Sequence, residues 1–182
     1  MRTFYFDMDG VLVHFSEEDS KTRPFLRVGN HYYRHLEPNP VAVELFEYLG
    51  ILPDVYPVVC TRLYYRDAPP RELPELLSEQ RADKLAWCKQ YLNLPEQDFL
   101  CLPMETSKNK VINEVPYCKR EESVLLDDDT RMLFEWCHQG GKGAQFIQSH
   151  RTNCQNPAWV GAVLHDVSVE DAIETLKKYK LL

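Results

Sequence analysis

Short apolar runs and helical periodicities alternate along this chain. The first run predicts a strand over 3–7, and Val41, Leu45 and Leu49, spaced four apart, predict a helix over 40–49. An apolar strand over 55–60 follows, then a helix over 81–92 whose Ala82, Leu85, Ala86 and Cys88 make an inward stripe. A third strand is expected over 98–102 and a short helix over 108–115, stopped at Pro116. A strand over 123–126, a helix over 130–138 ended by Gly140-Gly141 and a strand over 144–148 continue the alternation. An amphipathic helix over 169–181 closes it. Strands alternating with helices predict an α/β fold with a parallel sheet covered on both faces.

Two stretches interrupt this rhythm. Residues 25–28 and 31–34 flank Gly29-Asn30, the spacing of a hairpin with a tight turn, which would lie as a flap over the end of the first strand. Residues 63–80, with several prolines and Tyr64-Tyr65-Arg66, read as a long loop on the same edge. Near the end of the chain, residues 153–164 carry no recognisable chemistry and are expected to pack beside Trp136.

In parallel sheets, ligands collect at the carboxyl ends of the strands. Asp7-Met8-Asp9-Gly10-Val11-Leu12 comes directly off the first apolar run, and carboxylates at i and i+2 leave a strand end on the same side. Asp and Gly are also ordinary turn residues, so the pair gains weight only from what accompanies it. Thr61 ends the run Val58-Val59-Cys60 and offers a hydroxyl and a backbone N–H to a phosphoryl oxygen. Lys108 and Lys110 open the helix before the fourth strand, where an ammonium can neutralise a phosphoryl group. Val124-Leu125-Leu126 then delivers Asp127-Asp128-Asp129, an oxygen-rich set suited to Mg²⁺. A helix dipole explains one acidic residue at that position well and three in a row poorly.

Bulk properties narrow the partners. With 182 residues, 44% hydrophobic and 27% charged, the chain has the content of one compact domain, with a small cap at about 13–38. A net charge of -7 argues against polymeric nucleic acid and for a small anion held by a metal and a few local cations. No apolar segment has the length of a signal or a membrane span, so a cytoplasmic protein without membrane partners is expected. Six scattered cysteines, without CxxC or zinc spacing, are expected to be reduced thiols. No feature specifies an oligomeric state.

Strand-end Asp-x-Asp, strand-end Thr, Lys and strand-end Asp-Asp, in that order, resemble the haloacid dehalogenase superfamily of phosphohydrolases from Met1 to about Gln148. The resemblance implies a Rossmann-like three-layer α/β/α fold with the first strand central and, here, a reduced cap. It implies that Asp7 is a nucleophile forming an aspartyl-phosphate and that Asp9 protonates the leaving group and then activates water. Thr61 and Lys108 would hold the phosphoryl oxygens, with Mg²⁺ between Asp7, the Asp9 carbonyl and Asp127, and Asp128 in support.

Within that superfamily the chain is most similar to the 5′(3′)-deoxyribonucleotidases. The shared features are Asp-Met-Asp-Gly-Val-Leu followed by Phe15, the helix Asp83-Lys84-Leu85-Ala86-Trp87-Cys88-Lys89, and Ser107-Lys108 ahead of Leu125-Leu126-Asp127-Asp128. That likeness implies that Phe15 stacks on a base and Lys84 contacts the phosphate. Tyr32 and Tyr33 would join Phe15, and Arg62 would join Lys84. Two features differ: Arg62 follows Thr61 where the group carries Ser, and the cap is much shorter. The expected activity is Mg²⁺-dependent hydrolysis of nucleoside monophosphates. The alternatives are a phosphatase for another small phosphomonoester, such as a sugar phosphate, and a non-catalytic phosphate- or nucleotide-binding protein. A receiver-type signalling domain needs its acceptor Asp at the end of the third strand, whereas Asp98 begins that strand.

Overall fold

The structure, a computed structural model, describes residues 1–113, 119–149 and 156–182. At its centre is a six-stranded sheet in the order β3-β2-β1-β4-β5-β6, with every neighbouring pair parallel. The strands are β1 (Arg2–Phe6), β2 (Val55–Arg62), β3 (Phe99–Leu102), β4 (Ser123–Asp127), β5 (Lys142–Ile147) and β6 (Ala162–His165). Phe4, Tyr5 and Phe6 of β1 and Val124, Leu125 and Leu126 of β4 are all fully buried. A central parallel strand is covered on both faces, which is why these segments read as continuous apolar runs.

Strand alternation divides the core in two. Phe4, Phe6 and Val59 pack toward α2 (Pro40–Gly50), α3 (Leu73–Leu92) and α5 (Val169–Lys178), whereas Tyr5, Val58, Cys60 and Leu125 pack toward α4 (Thr130–His138). Edge-to-face aromatic pairs mark the two sides, Phe6 with Phe46 at 5.1 Å and Tyr5 with Trp136 at 5.0 Å. The helices start where side chains satisfy their first N–H groups. Asn39 accepts from Val41 and Ala42 with Pro40 at the first position, while Asp129 and Ser168 cap α4 and α5. After α4 the chain turns at Gly140, with φ 92°, and at Gly141, where a Cβ would lie 2.3 Å from the Trp136 indole nitrogen. Only glycine fits that approach.

The chain adds β2 and β3 on one side of β1 and β4, β5 and β6 on the other. The winding therefore reverses between β1 and β4, and the loops leaving those two strands separate to open a crevice at their carboxyl ends.

Several elements differ from the sequence expectation. The hairpin does not form: α1 (Glu17–Thr22) and 3₁₀ turns at Pro24–Leu26 and Tyr32–His35 occupy that segment. Gly29-Asn30 does turn, with φ 79° at Gly29 and 46° at His31. However, Pro24 has no N–H for a ladder, an isolated two-stranded ribbon is marginal, and the compact turns bury Phe25 and Tyr33 in the core. The supposed loop over 63–80 already contains the first two turns of α3, which begins at Leu73 because Pro74 is tolerated where no helical N–H is needed. Strand β6, four residues long and without a periodic signal, was not expected. Asp98 lies in a 3₁₀ turn ahead of β3, and the stretch from Lys108 is 3₁₀ through Asn113. Residues 114–115 of that expected helix, and 153–155 of the chain's later segment, lie outside the described residues.

Trp159 rests against Phe134, with ring centroids 5.4 Å apart, and joins the Trp136 side of the core. Cys60, Cys88, Cys101 and Cys137 are free thiols; Cys118 and Cys154 are outside the described residues. Among the described residues, no helix is long and apolar enough to cross a membrane.

Candidate active site

Beyond β1, the N–H of Asp7 still donates to the Leu126 carbonyl at 2.9 Å, so the sheet geometry fixes this residue. A tight loop follows. The N–H groups of Val11 and Val13 both donate to the Met8 carbonyl, and Gly10 takes φ 87°. The loop leaves Asp7 and Asp9 at the same crevice. From β4, Asp127 is held by the Asp129 N–H, which donates to Asp127 Oδ1 at 2.9 Å.

Lys108 reaches these carboxylates from the adjacent 3₁₀ stretch. Its Nζ lies 2.5 Å from Asp7 Oδ1 and 2.7 Å from Asp127 Oδ2, in a nearly water-free position. Burial alone would lower this ammonium's pKa, but the charges of Asp127 and Asp7 hold it above the usual lysine range. Burial raises Asp127 above the usual carboxylate range, and the neighbouring Asp7 and Asp128 add to the rise against the pull of Lys108. Lys110 is exposed.

Lys84 lies on α3 and is completely buried. Its Nζ donates to Asp9 Oδ2 at 2.7 Å, to Thr61 Oγ1 at 2.9 Å and to the Arg62 carbonyl at 2.9 Å. These three contacts match the three donors of an ammonium, and the Tyr33 ring faces the same nitrogen at 4.3 Å. Lys84 therefore supports Asp9 and Thr61 from beneath. The other Asp9 oxygen, Oδ1, is buried without a hydrogen-bond partner. Desolvation raises the Asp9 carboxyl above its usual range; Lys84 opposes the rise and Asp7 adds to it.

Above these groups is a cleft of about 470 Å³. Asp7, Asp9, Lys108, Asp127 and Asp128 line its floor, and Arg62, Asp129 and Arg131 also line it. Phe15, Phe25, Tyr33, Leu63, Tyr64 and Met104 supply its apolar lining. Phe15 and Tyr64 each pack against Phe25, at 5.7 Å and 5.2 Å. Of the residues expected from the sequence, Thr61 and Lys84 lie behind the lining, and Asp7, Asp9, Phe15, Tyr33, Arg62, Lys108, Asp127 and Asp128 form part of it.

The segment ahead of α2 is fastened to α3. Arg34 Nε donates to Asp83 at 2.6 Å, His31 Nδ1 lies 3.2 Å from both Asp83 oxygens, and Glu79 accepts the N–H groups of Gly29 and His31. Gln80 binds the carbonyls of Phe25 and Tyr64. His31, Glu79 and Asp83 are close enough to share an ion, but the arginine and the backbone donors already engage their carboxylates. The group is a latch for the aromatic wall.

Sequence reasoning did not single out Arg131 or Met104. Met104 contributes its carbonyl, which accepts from Arg62 Nη1 at 3.2 Å. Arg131 lies in the first turn of α4 beside its capping Asp129, and its only sequence signal was its place two residues after the acidic run.

Asp7, Asp127 and Asp128 each offer an oxygen within 4.8 Å of the others. An all-oxygen carboxylate set suits a hard divalent cation. Burial chiefly, and then the neighbouring Asp7 and Asp128, raise the Asp127 carboxyl despite Lys108. The residues present thus fit a divalent ion.

No protein-family model matches the chain, and no curated protein sequence is significantly similar to it. Its fold is similar to that of D,D-heptose 1,7-bisphosphate phosphatase from Burkholderia thailandensis, with a TM-score of 0.56 and 11% identity, covering 98% of each chain. It is also similar to a hydrolase from Pseudomonas syringae, with a TM-score of 0.60 and 11% identity, covering 97% of this chain and 99% of that one. At such identity the likeness establishes a common architecture: this chain has a Rossmann-like α/β fold with its polar cleft at the switch point of a six-stranded parallel sheet.

Proposed function

We propose that the chain is a Mg²⁺-dependent phosphomonoester hydrolase of the haloacid dehalogenase superfamily, acting on nucleoside monophosphates through an aspartyl-phosphate at Asp7. The observation that carries this reading is the division of labour between two neighbouring carboxylates. Asp7 is held by Lys108 at the cleft floor, whereas Asp9 has one oxygen fixed by Lys84 and the other buried and unpartnered. The two fold neighbours are a phosphatase and a hydrolase by name, which is consistent with the same chemistry here.

In this mechanism an Asp7 oxygen attacks phosphorus, a new P–O bond forms and the ester P–O bond breaks. Asp9, its pKa raised by desolvation and by Asp7, gives its proton to the departing alkoxide. Asp9 then takes a proton from water as the water oxygen attacks phosphorus, which releases inorganic phosphate and restores Asp7. Lys108 offsets charge on the phosphoryl oxygens, while Thr61, fully buried behind the lining, is held by Lys84 beneath the cleft. Asp7, Asp127, Asp128 and the Asp9 carbonyl would hold Mg²⁺, which reduces repulsion between the carboxylates and an anionic substrate.

Phe15, Phe25, Tyr33 and Tyr64 give the cleft an aromatic side on which a base can stack. The test is a panel of nucleoside monophosphates and sugar phosphates assayed with and without Mg²⁺. The proposal expects Mg²⁺-dependent release of phosphate with nucleotides preferred. Release from sugar phosphates alone would transfer the assignment to the other small phosphomonoesters, and release from none would reject hydrolysis.

A further inference from the structure

We propose that Gln80 governs substrate choice as a positioning residue: its side-chain amide holds Phe25 and Tyr64 where they form the aromatic face that receives the base. The inference deepens the nucleotide reading above and rests on it. Phe25 and Tyr64 reach the cleft from two separate excursions of the chain. Phe25 lies in the 3₁₀ turn Pro24–Leu26, and Tyr64 lies just beyond the end of β2 at Arg62. Gln80, on α3, joins the two. Its Nε2 donates to the Phe25 carbonyl at 2.9 Å and to the Tyr64 carbonyl at 2.7 Å, and its Oε1 accepts from the Tyr64 N–H at 3.0 Å. Both amide donors and one acceptor site are thereby used.

The effect of these bonds falls on the wall. The Phe25 and Tyr64 rings meet edge to face with centroids 5.2 Å apart, Phe15 packs on Phe25, and all three line the cleft. Gln80 itself is 2% exposed, so water does not reach its side of the bonds. Backbone polar groups left unpaired in an interior are costly. Without the amide, the two segments would turn those groups toward water and carry their rings apart. The floor has separate supports, with the Asp7 N–H on the Leu126 carbonyl and Lys108 on Asp7 and Asp127. Loss of Gln80 is therefore felt chiefly by the base and much less by the phosphoryl group.

The same helix sets the span between the two ends of the substrate. Gln80 and Lys84 are four residues apart on α3 and so share one face, about one turn apart. Gln80 holds the wall, whereas Lys84 holds Asp9 and Thr61. A single turn of α3 thus fixes how far the stacking face stands from the groups at the phosphoryl end.

The experiment measures kcat and KM for deoxythymidine 5′-monophosphate and for a hexose 6-phosphate, at saturating Mg²⁺, in the parent and in Gln80→Met. Methionine keeps the length and the helix propensity but removes the amide. The proposal expects the parent's preference for the nucleotide in kcat/KM to fall by about fivefold or more in the variant, with the loss carried mainly by the nucleotide KM, as for an interaction remote from the reacting atoms. A smaller fall, equal losses on both substrates, or a loss carried mainly by kcat would overturn it. If Gln80→Met does not fold, as read by circular dichroism melting, Gln80→Glu, which keeps the acceptor for the Tyr64 N–H, is held to the same criteria. Failure of both variants to fold would also overturn it, leaving Gln80 a role in stability alone. A parent without nucleotide preference would remove the base from the wall and both readings with it. If the parent turns over neither compound, hydrolysis fails as the function, and the ratio of calorimetric dissociation constants for the same two compounds decides the role of Gln80 by the same fivefold criterion.

Discussion

Lys84 and Asp9 form a buried ion pair at 2.7 Å in which only one carboxylate oxygen takes part. The lysine fixes the orientation of Asp9, while Oδ1 stays buried without a hydrogen-bond partner; in the proposed mechanism this carboxyl gives and takes a proton.

That role predicts a dependence on leaving group. Asp9→Asn should lower kcat by about 10²–10⁴ with an alkyl phosphate, the span of general acid–base catalysis, and by much less with an activated aryl phosphate. Steady-state assays on the two esters check this. Equal losses on both would remove Asp9 from proton transfer.

Replacing Lys84 should affect stability as well as rate. Lys84→Met keeps the stem but leaves Asp9, Thr61 and the Arg62 carbonyl without their donor. Breaking a buried pair costs about 3–5 kcal/mol, and the partial exposure of Asp9 in the cleft sets the lower end. At roughly 2–4 °C per kcal/mol for a chain of this size, the melting temperature should fall by about 6–12 °C. A parent-like melting curve would show that the contacts contribute no net stability.

The acidic run divides into two roles. Asp127→Ala should raise the Mg²⁺ concentration for half-maximal rate sharply, while Asp129→Asn, which keeps the cap of α4, should leave it near the parent value. Ca²⁺ should inhibit, because its larger and looser coordination shell misplaces the nucleophile. Mg²⁺ titrations of the two variants, and a Ca²⁺ competition, measure this; full activity in Ca²⁺ would contradict the proposed coordination.

Base stacking predicts the effect of Phe15. Aromatic stacking contributes roughly 1–3 kcal/mol per base, so nucleotide preference over a sugar phosphate should be about one to two decades in kcat/KM and should fall in Phe15→Ala. Phe25 and Tyr64 remain in that variant's cleft, which keeps the loss partial. A preference unchanged in Phe15→Ala would take the base away from this wall.

Asp7, Thr61 and Asp127 were legible in the sequence because each interrupts or ends an apolar run with a polar group, a pattern set by a strand leaving a buried sheet. The location of Lys84 was not. It adjoins Asp83 on a helix where both charged residues are buried, and burial of an ion-paired lysine leaves no mark in periodicity. The hairpin expectation failed because Gly29-Asn30 specifies a turn but not what flanks it. The burial of Phe25 and Tyr33 against the core, visible only in three dimensions, decides that. Strand β6 escaped because four residues carry too little alternation to separate them from loop.

The most direct measurement is phosphate release by Asp7→Asn. The substitution is nearly isosteric and preserves the Lys108 side of the site, so the variant should fold with a parent-like circular dichroism spectrum. It should show no turnover of any phosphomonoester the parent accepts, and acid-quenched labelling with ³²P-substrate should detect a covalent phosphoenzyme in the parent alone. A folded Asp7→Asn protein that hydrolyses these esters at the parent rate would contradict the account.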